Sequence, residues 1–367
     1  MTTATPDLDV VLESADGRRR TVTLGARVGP PGSQGAVRLV RGHPRLVVKL
    51  IRNPEAENFA DKLEAMLASR PARMTVRDGI VRVAWPLARV RAVGGGRLLG
   101  YVQPALTAPD FGPFHQALRG GRTLAPRRAT WRWYLELALD LARTMTEIHR
   151  AGHVVSDLSP ENLFATPGAA VGFVDVDGWQ IHDQATGLSL PSPFSRAEYT
   201  PPEHLADPAS RKLRAPSADR WALAVLLAEI LRLGAHPFAG VPPDAEPPFD
   251  VQANVENRRS VLLGSTLRQP AHAADADLVL AGPLRRLLER CFAAGYDDPD
   301  ARPLPQDWVA ELTRVQNTVR LCPTGELHVF AREAAACPWC ELAGRTGRDP
   351  FSGADARGGS AHDPYGR

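Results

Sequence analysis

One stretch, residues 149–178, constrains the chain most, because two carboxylates and an amide recur in it at short spacings. Asn162 follows Asp157 by five residues, and Asp175 follows Asn162 by thirteen. A short strand after Asn162 and the apolar run Val171–Val174 predict a hairpin with the amide at its start and Asp175 at its end. Such a hairpin directs Asn162 and Asp175 at one point, where their oxygens can hold Mg²⁺, and Asp157 is placed to accept a proton from a hydroxyl. A surface loop rich in Asp, Asn and Pro is the alternative interpretation.

This stretch resembles the catalytic loop and the metal-binding loop of eukaryotic-type protein kinases, whose signatures are H-R-D-L-x-x-x-N and D-F-G. The two loops here read Val155-Ser156-Asp157-Leu158-Ser159-Pro160-Glu161-Asn162 and Asp175-Val176-Asp177. The resemblance implies that Asp157 is the catalytic base and that Asn162 and Asp175 hold Mg²⁺. The chain departs from the family at the His and the Arg, at the Lys two residues after the catalytic Asp (Ser159 here) and at the metal-loop Gly (Asp177 here). That Lys steadies the γ-phosphate, so its loss predicts a slow enzyme unless an Arg reaches the site.

Residues 28–37 resemble the kinase Gly-rich loop, G-x-G-x-x-G-x-V, which closes over the nucleotide phosphates. Gly32, Gly35 and Val37 fit this pattern, and Pro30 stands at the first Gly position. The resemblance implies that these three residues contact the nucleotide, in a loop that Pro30 stiffens. An ordinary turn rich in Gly and Pro is the alternative.

Lys49 is the one cation in the apolar strand predicted at Leu46–Ile51, where burying an unpaired charge is costly. The resemblance implies that Lys49 holds the α- and β-phosphates and pairs with a helix glutamate. The helix predicted over Asn53–Ser69 offers Glu57 and Glu64, and the spacing of fifteen residues from Lys49 favours Glu64. A lysine on an exposed strand edge and a solvated Glu64 are the alternatives.

Further landmarks of the kinase family follow in order. Residues 103–106 resemble the hinge between the lobes, and Glu203 stands in Pro-Pro-Glu where kinases have A-P-E. Asp219 opens an apolar helix, and the resemblance implies that it braces the catalytic loop. Arg302 matches the kinase arginine that pairs with the A-P-E glutamate, so we expect an Arg302–Glu203 ion pair.

The resemblance covers about residues 20–315 and implies an α+β, bilobal protein-kinase-like fold. We expect a β-rich N-lobe over residues 1–103 and a helical C-lobe over residues 104–316. The Asp-x-Asp metal loop is most similar to a bacterial group of eukaryotic-like Ser/Thr kinases. Its members are often associated with stress or tellurite-resistance gene clusters and carry small accessory C-terminal modules.

Such a module, zinc-ribbon-like, is predicted at residues 317–343, because a C-x₂-C pair follows a cysteine and a histidine there. Three thiolates and one imidazole suit tetrahedral Zn²⁺ in a closed, structural site. The expected ligands are Cys322, His328, Cys337 and Cys340. A redox C-x-x-C is the alternative, but no βαβ pattern surrounds it. The Gly-, Asp- and Arg-rich residues 344–367 are predicted to form a disordered tail.

Charge and hydropathy narrow the classes of partner. Lysine and arginine number 44 and acids 41, a net charge of +3 that does not favour nucleic acid. The sequence contains no apolar segment long enough for a membrane span and no signal pattern at its start, so we expect a cytoplasmic protein. Only three lysines occur, at positions 49, 62 and 212, which makes each of them informative.

The resemblance implies an enzyme that uses ATP and Mg²⁺ (or Mn²⁺) to phosphorylate Ser or Thr of a protein substrate. The cysteine and histidine spacing predicts Zn²⁺ in its C-terminal module. The zinc module is also a possible docking point for a partner. The alternative function is a pseudokinase scaffold that binds nucleotide and recruits partners through that module. Ser159 and Pro30 favour this alternative.

Overall fold

A computed structural model of the chain describes residues 6–29, 34–56, 58–94, 96–107, 109–118, 123–192, 194–243, 245 and 250–351. Strands dominate up to residue 104, and helices dominate after it, as the sequence predicts.

Six of the N-terminal strands close into a barrel. The eight strands of this region are β1 (Leu8–Glu13), β2 (Arg19–Val28), β3 (Gly35–Val40), β4 (His43–Ile51), β5 (Val76–Arg77), β6 (Ile80–Val81), β7 (Ala88–Ala92) and β8 (Leu98–Pro104). The barrel order is β1-β2-β3-β4-β8-β7, and β5 and β6 form a separate ribbon. Strand β1 pairs antiparallel with both β2 and β7, so it closes the barrel.

Alternating apolar side chains of the barrel strands point inward and form its core. They include Val10, Val22, Leu24, Val40, Val48, Val90 and Val102. Strand β4, which carries Lys49, lies between β3 and β8. A Cβ on Gly35 would lie 2.1 Å from the Leu50 carbonyl oxygen, and one on Gly100 would lie 1.9 Å from that of Lys49. Glycine is therefore required beside β4 for strand packing alone.

Two helices interrupt the strands, α1 (Phe59–Ala68) and α2 (Ala72–Thr75). Helix α1 is shorter than the predicted Asn53–Ser69, because Asn58 adopts a left-handed conformation with φ of 67° immediately before it. Its buried face consists of Lys62, Leu63, Ala65 and Met66.

The rest of the chain is mainly helical. Its helices are α3 (His115–Leu118), α4 (Trp131–Arg150), α5 (Pro202–Ala206), α6 (Pro216–Leu231), α7 (Val251–Glu256), α8 (Ala276–Val279), α9 (Pro283–Phe292), α10 (Ala294–Asp297), α11 (Pro305–Thr318) and α12 (Pro338–Thr346). Short strands are β9 (Gly112–Pro113), β10 (Leu163–Ala165), β11 (Val171–Phe173), β12 (Ile181–His182), β13 (Ser189–Leu190), β14 (Arg320–Leu321) and β15 (Val329–Phe330). Short 3₁₀ turns lie at Pro160–Asn162, Val176–Gly178, Ala197–Tyr199, Pro208–Lys212, Val261–Leu263 and Pro299–Ala301.

Helices α4, α6 and α11 form the centre of this helical part, since α4 contacts both of the others. Helix α6 is buried around almost its whole circumference. Helix α4 begins after the N-cap Thr130, whose side chain accepts from the Arg132 amide at 3.3 Å. Among the helices that the structure describes, none is both long and apolar enough to cross a membrane.

The C-terminal segment with the cysteines is packed into the same core. Trp339 is fully buried, and its ring centroid lies 6.1 Å from that of Trp131 on α4. Phe351 contacts the rings of Trp339 and Tyr134 at centroid distances of 5.0 and 6.3 Å. The prediction of a disordered tail is therefore wrong for residues 344–351, because α12 continues to Thr346 and the chain remains packed to Phe351. Residues 352–367 lie outside the described part.

Candidate active site

The β10–β11 hairpin brings the predicted amide and carboxylates together. Its register pairs Leu163 with Phe173, and the Val174 amide donates to the Asn162 carbonyl at 3.0 Å. The Asn162 Nδ2 donates to the Asp157 Oδ2 at 2.8 Å and to the Asp157 carbonyl at 2.9 Å. Asn162 thus connects Asp157 to the residue that precedes Asp175.

Helix α6 holds the loop that carries Asp157 through the side chain of Asp219. The buried carboxylate of Asp219 accepts from the amides of Val155 and Ser156 at 2.8 and 3.0 Å. Ser156 has a φ of 68°, a left-handed conformation that two fixed amides help to hold. The predicted bracing role of Asp219 is confirmed.

Asp157 is suited to accept a proton. Burial raises the pKa of its carboxyl, and the hydrogen bond from Asn162 and the charge of Arg196 act against that rise. Its Oδ1 has no hydrogen-bond partner among the described residues, and the Arg196 Nε lies 3.8 Å away. This oxygen is therefore buried and receives no hydrogen bond from the described residues.

Lys49 extends from the barrel to the metal loop and is 3% exposed. Its Nζ lies 2.6 Å from Asp177 Oδ1 and 3.2 Å from Asp175 Oδ1. Burial acts to lower the pKa of Lys49, but the two carboxylates outweigh burial and the pKa is raised. The lysine is therefore held as a cation beside Asp175, as a phosphate-binding lysine must be.

The predicted ion pair between Lys49 and Glu64 is wrong. Glu64 is 53% exposed and pairs with Arg89 on strand β7. The physical reason is the orientation of helix α1, which begins at Phe59. In this orientation Lys62 and, one turn later, Met66 face the interior. Glu64 lies between these two in sequence and hence on the other side of the helix. Glu57, the other glutamate considered, is outside the described residues.

Helix α1 instead presents a lysine to the site. The Lys62 Nζ donates to the carbonyls of Asp177, Trp179 and Pro191 at 3.2, 2.9 and 2.8 Å. Burial lowers the pKa of Lys62 to about 8, and the nearby charge of Asp177 acts against this. No sequence motif assigns Lys62 a role, although an internal lysine in a chain with only three is itself a signal.

A cation does lie near Asp157, but not at the family position. Ser159 is fully buried, and its hydroxyl has no partner in the part of the chain that the structure describes. Arg196 approaches from the segment after the metal loop, and its Nε is also 3.6 Å from Glu161 Oε2. An arginine therefore does reach Asp157, from outside the family position.

The predicted Gly-rich loop is only partly described. Gly32 and Pro30 lie outside the described residues. Gly35 and Val37 lie in strand β3, where Val37 is the register partner of Lys49. Val37 is thus on the strand next to Lys49, and Gly35 has the packing role given above.

The residues fit Mg²⁺ by their chemistry. Asp175 is 42% exposed and offers a carboxylate. The amide nitrogen of Asn162 is used on Asp157, so its Oδ1 is the atom left for a cation. Oxygen donors of this kind are those that Mg²⁺ prefers.

The four predicted zinc ligands converge. Their ligand atoms all lie within 4.8 Å of one another. Cys322 Sγ is 3.6 Å from Cys340 Sγ, and His328 Nδ1 is 3.4 Å from Cys340 Sγ and 3.6 Å from Cys337 Sγ. A tetrahedral zinc site requires about 3.8 Å between sulfurs and about 3.5 Å between sulfur and nitrogen. The cluster therefore has the dimensions of a zinc site.

A fifth residue supports this cluster and was missed from the sequence. The His328 Nε2 lies 3.0 Å from Asp349 Oδ1, which also accepts from the Phe351 amide at 2.7 Å. A carboxylate on the far nitrogen of a ligand histidine fixes the ring and the tautomer. Asp349 stands in a stretch that composition assigned to the tail, so no local pattern marked it.

Comparison with known proteins gives a consistent result. No protein-family model matches the chain. The protein named Protein kinase YegI of Escherichia coli O157:H7 is 26% identical over 326 residues, which are 88% of this chain and 49% of that protein. The protein of the same name from Escherichia coli strain K12 is 26% identical over 325 residues, 87% of this chain and 48% of its own length. The chain thus spans about half the length of the curated relatives it matches, and the similarity supports a bacterial protein-kinase-like family.

Proposed function

We propose that the chain is an ATP- and Mg²⁺-dependent protein kinase that phosphorylates Ser or Thr of a protein substrate. The observation that carries this proposal is the meeting of Lys49 from the barrel with Asp175, beside a hydrogen-bonded Asp157 and Asn162. The similarity to proteins named as kinases supports the same reaction class.

Each residue of this group has a role in phosphoryl transfer. Lys49 holds the α- and β-phosphates, and Asp175 and Asn162 hold the cation, which neutralises phosphate charge when bound. The hydroxyl oxygen bonds to the γ-phosphorus as the bond to the β-γ bridging oxygen breaks, and ADP leaves. The hydroxyl proton goes to the free oxygen of Asp157.

A nucleotide-binding pseudokinase scaffold is the second candidate. Ser159 favours it, because an uncharged side chain at that position cannot steady the γ-phosphate. In this case Lys49, Asp175 and Asn162 bind nucleotide, and the C-terminal module recruits a partner.

We assign structural Zn²⁺ to Cys322, His328, Cys337 and Cys340. Four protein ligands leave no open position for substrate, so the ion acts on folding.

Phosphoryl transfer from radiolabelled ATP, with Mg²⁺ or Mn²⁺, tests the proposal. The wild type is compared with Asp157→Asn and Asp175→Asn, and with Asp297→Asn as a surface control. We expect label in the wild type and the control and none in the other two. Absence of label in the wild type, with nucleotide binding that Lys49→Met abolishes, would support the scaffold instead.

A further inference from the structure

The carboxylate that holds Lys49 comes from the metal loop and not from helix α1. We propose that Asp177 is the positioning residue for Lys49 towards the nucleotide phosphates, in place of the glutamate that the sequence spacing predicted. This inference rests on the proposed nucleotide-binding function.

The contacts of Asp177 are those of a fixed group. Its side chain is 8% exposed, and Oδ1 accepts from Lys49 Nζ at 2.6 Å and from the buried Tyr101 hydroxyl at 2.7 Å. Asp175 is 42% exposed and farther from the lysine, at 3.2 Å. Asp177 can therefore keep Lys49 in place while Asp175 exchanges the lysine for a cation.

The backbone around Asp177 is fixed by helix α1. The turn Val176–Gly178 starts from Asp175, which has a φ of 55°. The ammonium of Lys62 donates to the carbonyl of Asp177 and to two later carbonyls of the same segment. The helix thus supplies a cation to the backbone of the metal loop, and the loop supplies the carboxylate to Lys49.

The charges explain why a helix glutamate is not needed. Two ammonium groups, Lys49 and Lys62, face two carboxylates, Asp175 and Asp177, in one largely buried cluster. A third carboxylate at the interior face of α1 would add an unpaired charge and would face the carbonyls that Lys62 now binds. The exposed pair of Glu64 with Arg89 agrees with this balance.

Kinetics with matched carboxylate variants test the inference. Asp177→Asn keeps the shape and removes the charge, Asp177→Glu restores the charge, and Glu64→Gln removes the rejected carboxylate. We expect Asp177→Asn to lower kcat/KM for ATP about 30-fold or more, as loss of one partner of a buried charge pair does. The loss should be mostly in KM for ATP, with partial recovery in Asp177→Glu and a change of less than about twofold in Glu64→Gln. The opposite ranking of Asp177→Asn and Glu64→Gln would overturn the inference.

A second measurement does not depend on catalysis. The chain has three lysines, so a ¹⁵N-lysine spectrum of the nucleotide-free protein contains three ammonium signals, which Lys62→Arg and Lys212→Arg assign. We expect the Lys49 ammonium to be protected from exchange with water in the wild type and in Glu64→Gln, and to lose its protection in Asp177→Asn. Tyr101→Phe serves as a second variant in case Asp177→Asn does not fold. It removes only one hydrogen bond to Asp177, and it should weaken the protection of the Lys49 ammonium. Protection that survives both Asp177→Asn and Tyr101→Phe refutes the inference. If the protection is lost in these variants but the wild type never transfers phosphate, only the proposed kinase activity is refuted.

Discussion

Arg302 and Glu203 form a double ion pair, with Nη1 to Oε1 at 2.8 Å and Nη2 to Oε2 at 2.7 Å. Arg302 is fully buried and also donates to the carbonyls of Gly295 and Ser217. The pair predicted from the sequence is therefore confirmed. It ties the segment after the metal loop to the turn before α11.

Glu203→Gln should lower the free energy of unfolding by about 3 kcal/mol, because it leaves a buried guanidinium without its countercharge. Urea unfolding measures the change. Asp297→Asn, which breaks the exposed pair with Arg258, is the control and should cost about 0.5 kcal/mol or less. Equal losses of unfolding free energy in the two variants would show that the buried pair stabilises the protein no more than the exposed pair does.

Arg196→Gln should lower kcat about tenfold or more, because it removes a cation 3.8 Å from Asp157 Oδ1 that we expect to steady the γ-phosphate in place of the missing lysine. Steady-state phosphorylation at saturating ATP measures it, and Arg196→Lys should retain part of the rate. Glu161 is exposed and lies 3.6 Å from Arg196, so Glu161→Arg in the Arg196→Gln background returns a cation to the same place. Failure of this double variant to recover any rate, or an unchanged Arg196→Gln, would contradict the role of the charge.

His236 should make stability fall in mild acid. Burial lowers its pKa to about 3, and its bond to the Glu198 carbonyl only partly opposes this. The unfolded histidine has a pKa of about 6.5, so below that pH the unfolded chain binds a proton that the folded chain does not. Stability is therefore full above about pH 6.5 and is lost as the pH falls, by up to about 1.4 kcal/mol per pH unit. Urea unfolding between pH 6.5 and 4.5 should show a smaller slope in His236→Gln, and an unchanged slope in the exposed-site control His115→Gln.

Asp349→Asn should weaken Zn²⁺ binding about tenfold to 100-fold, because His328 loses the acceptor that orients its ring. Competition with a fluorescent chelator measures the affinity. Glu341→Gln is the control, since Glu341 lies on the same segment and pairs with Arg345. Equal affinity in Asp349→Asn and the wild type would mean that the contact does not support the ion.

Local spacing was sufficient to predict the hairpin that joins Asn162 to Asp175, because strand alternation and a short turn act over a few residues. Spacing was also sufficient to predict that the ligand atoms of the Cys322 and Cys337 group lie together, since the geometry of the ion restricts the spacing of its ligands. The Arg302–Glu203 pair was predictable only through the resemblance, because 99 residues separate its members.

The partner of Lys49 could not be found in this way. Choosing Glu64 required the helix phase, which depends on the left-handed Asn58 that precedes α1. The actual partner, Asp177, was visible only as a departure from D-F-G. The approach of Arg196 to Asp157 depends on the tertiary structure, which sequence periodicity does not predict. The closure of the barrel by β1 depends on pairing with a strand more than 70 residues later.

The burial of Trp339 and Phe351 against α4 limits how the chain can be shortened. A protein cut after residue 316, where the resemblance to kinases stops, would expose the rings of Trp131 and Tyr134 to water. Contiguous apolar surface of this kind promotes association between molecules. The smallest fragment expected to keep these rings covered therefore extends to Phe351, since the segment with the cysteines covers part of the helical core.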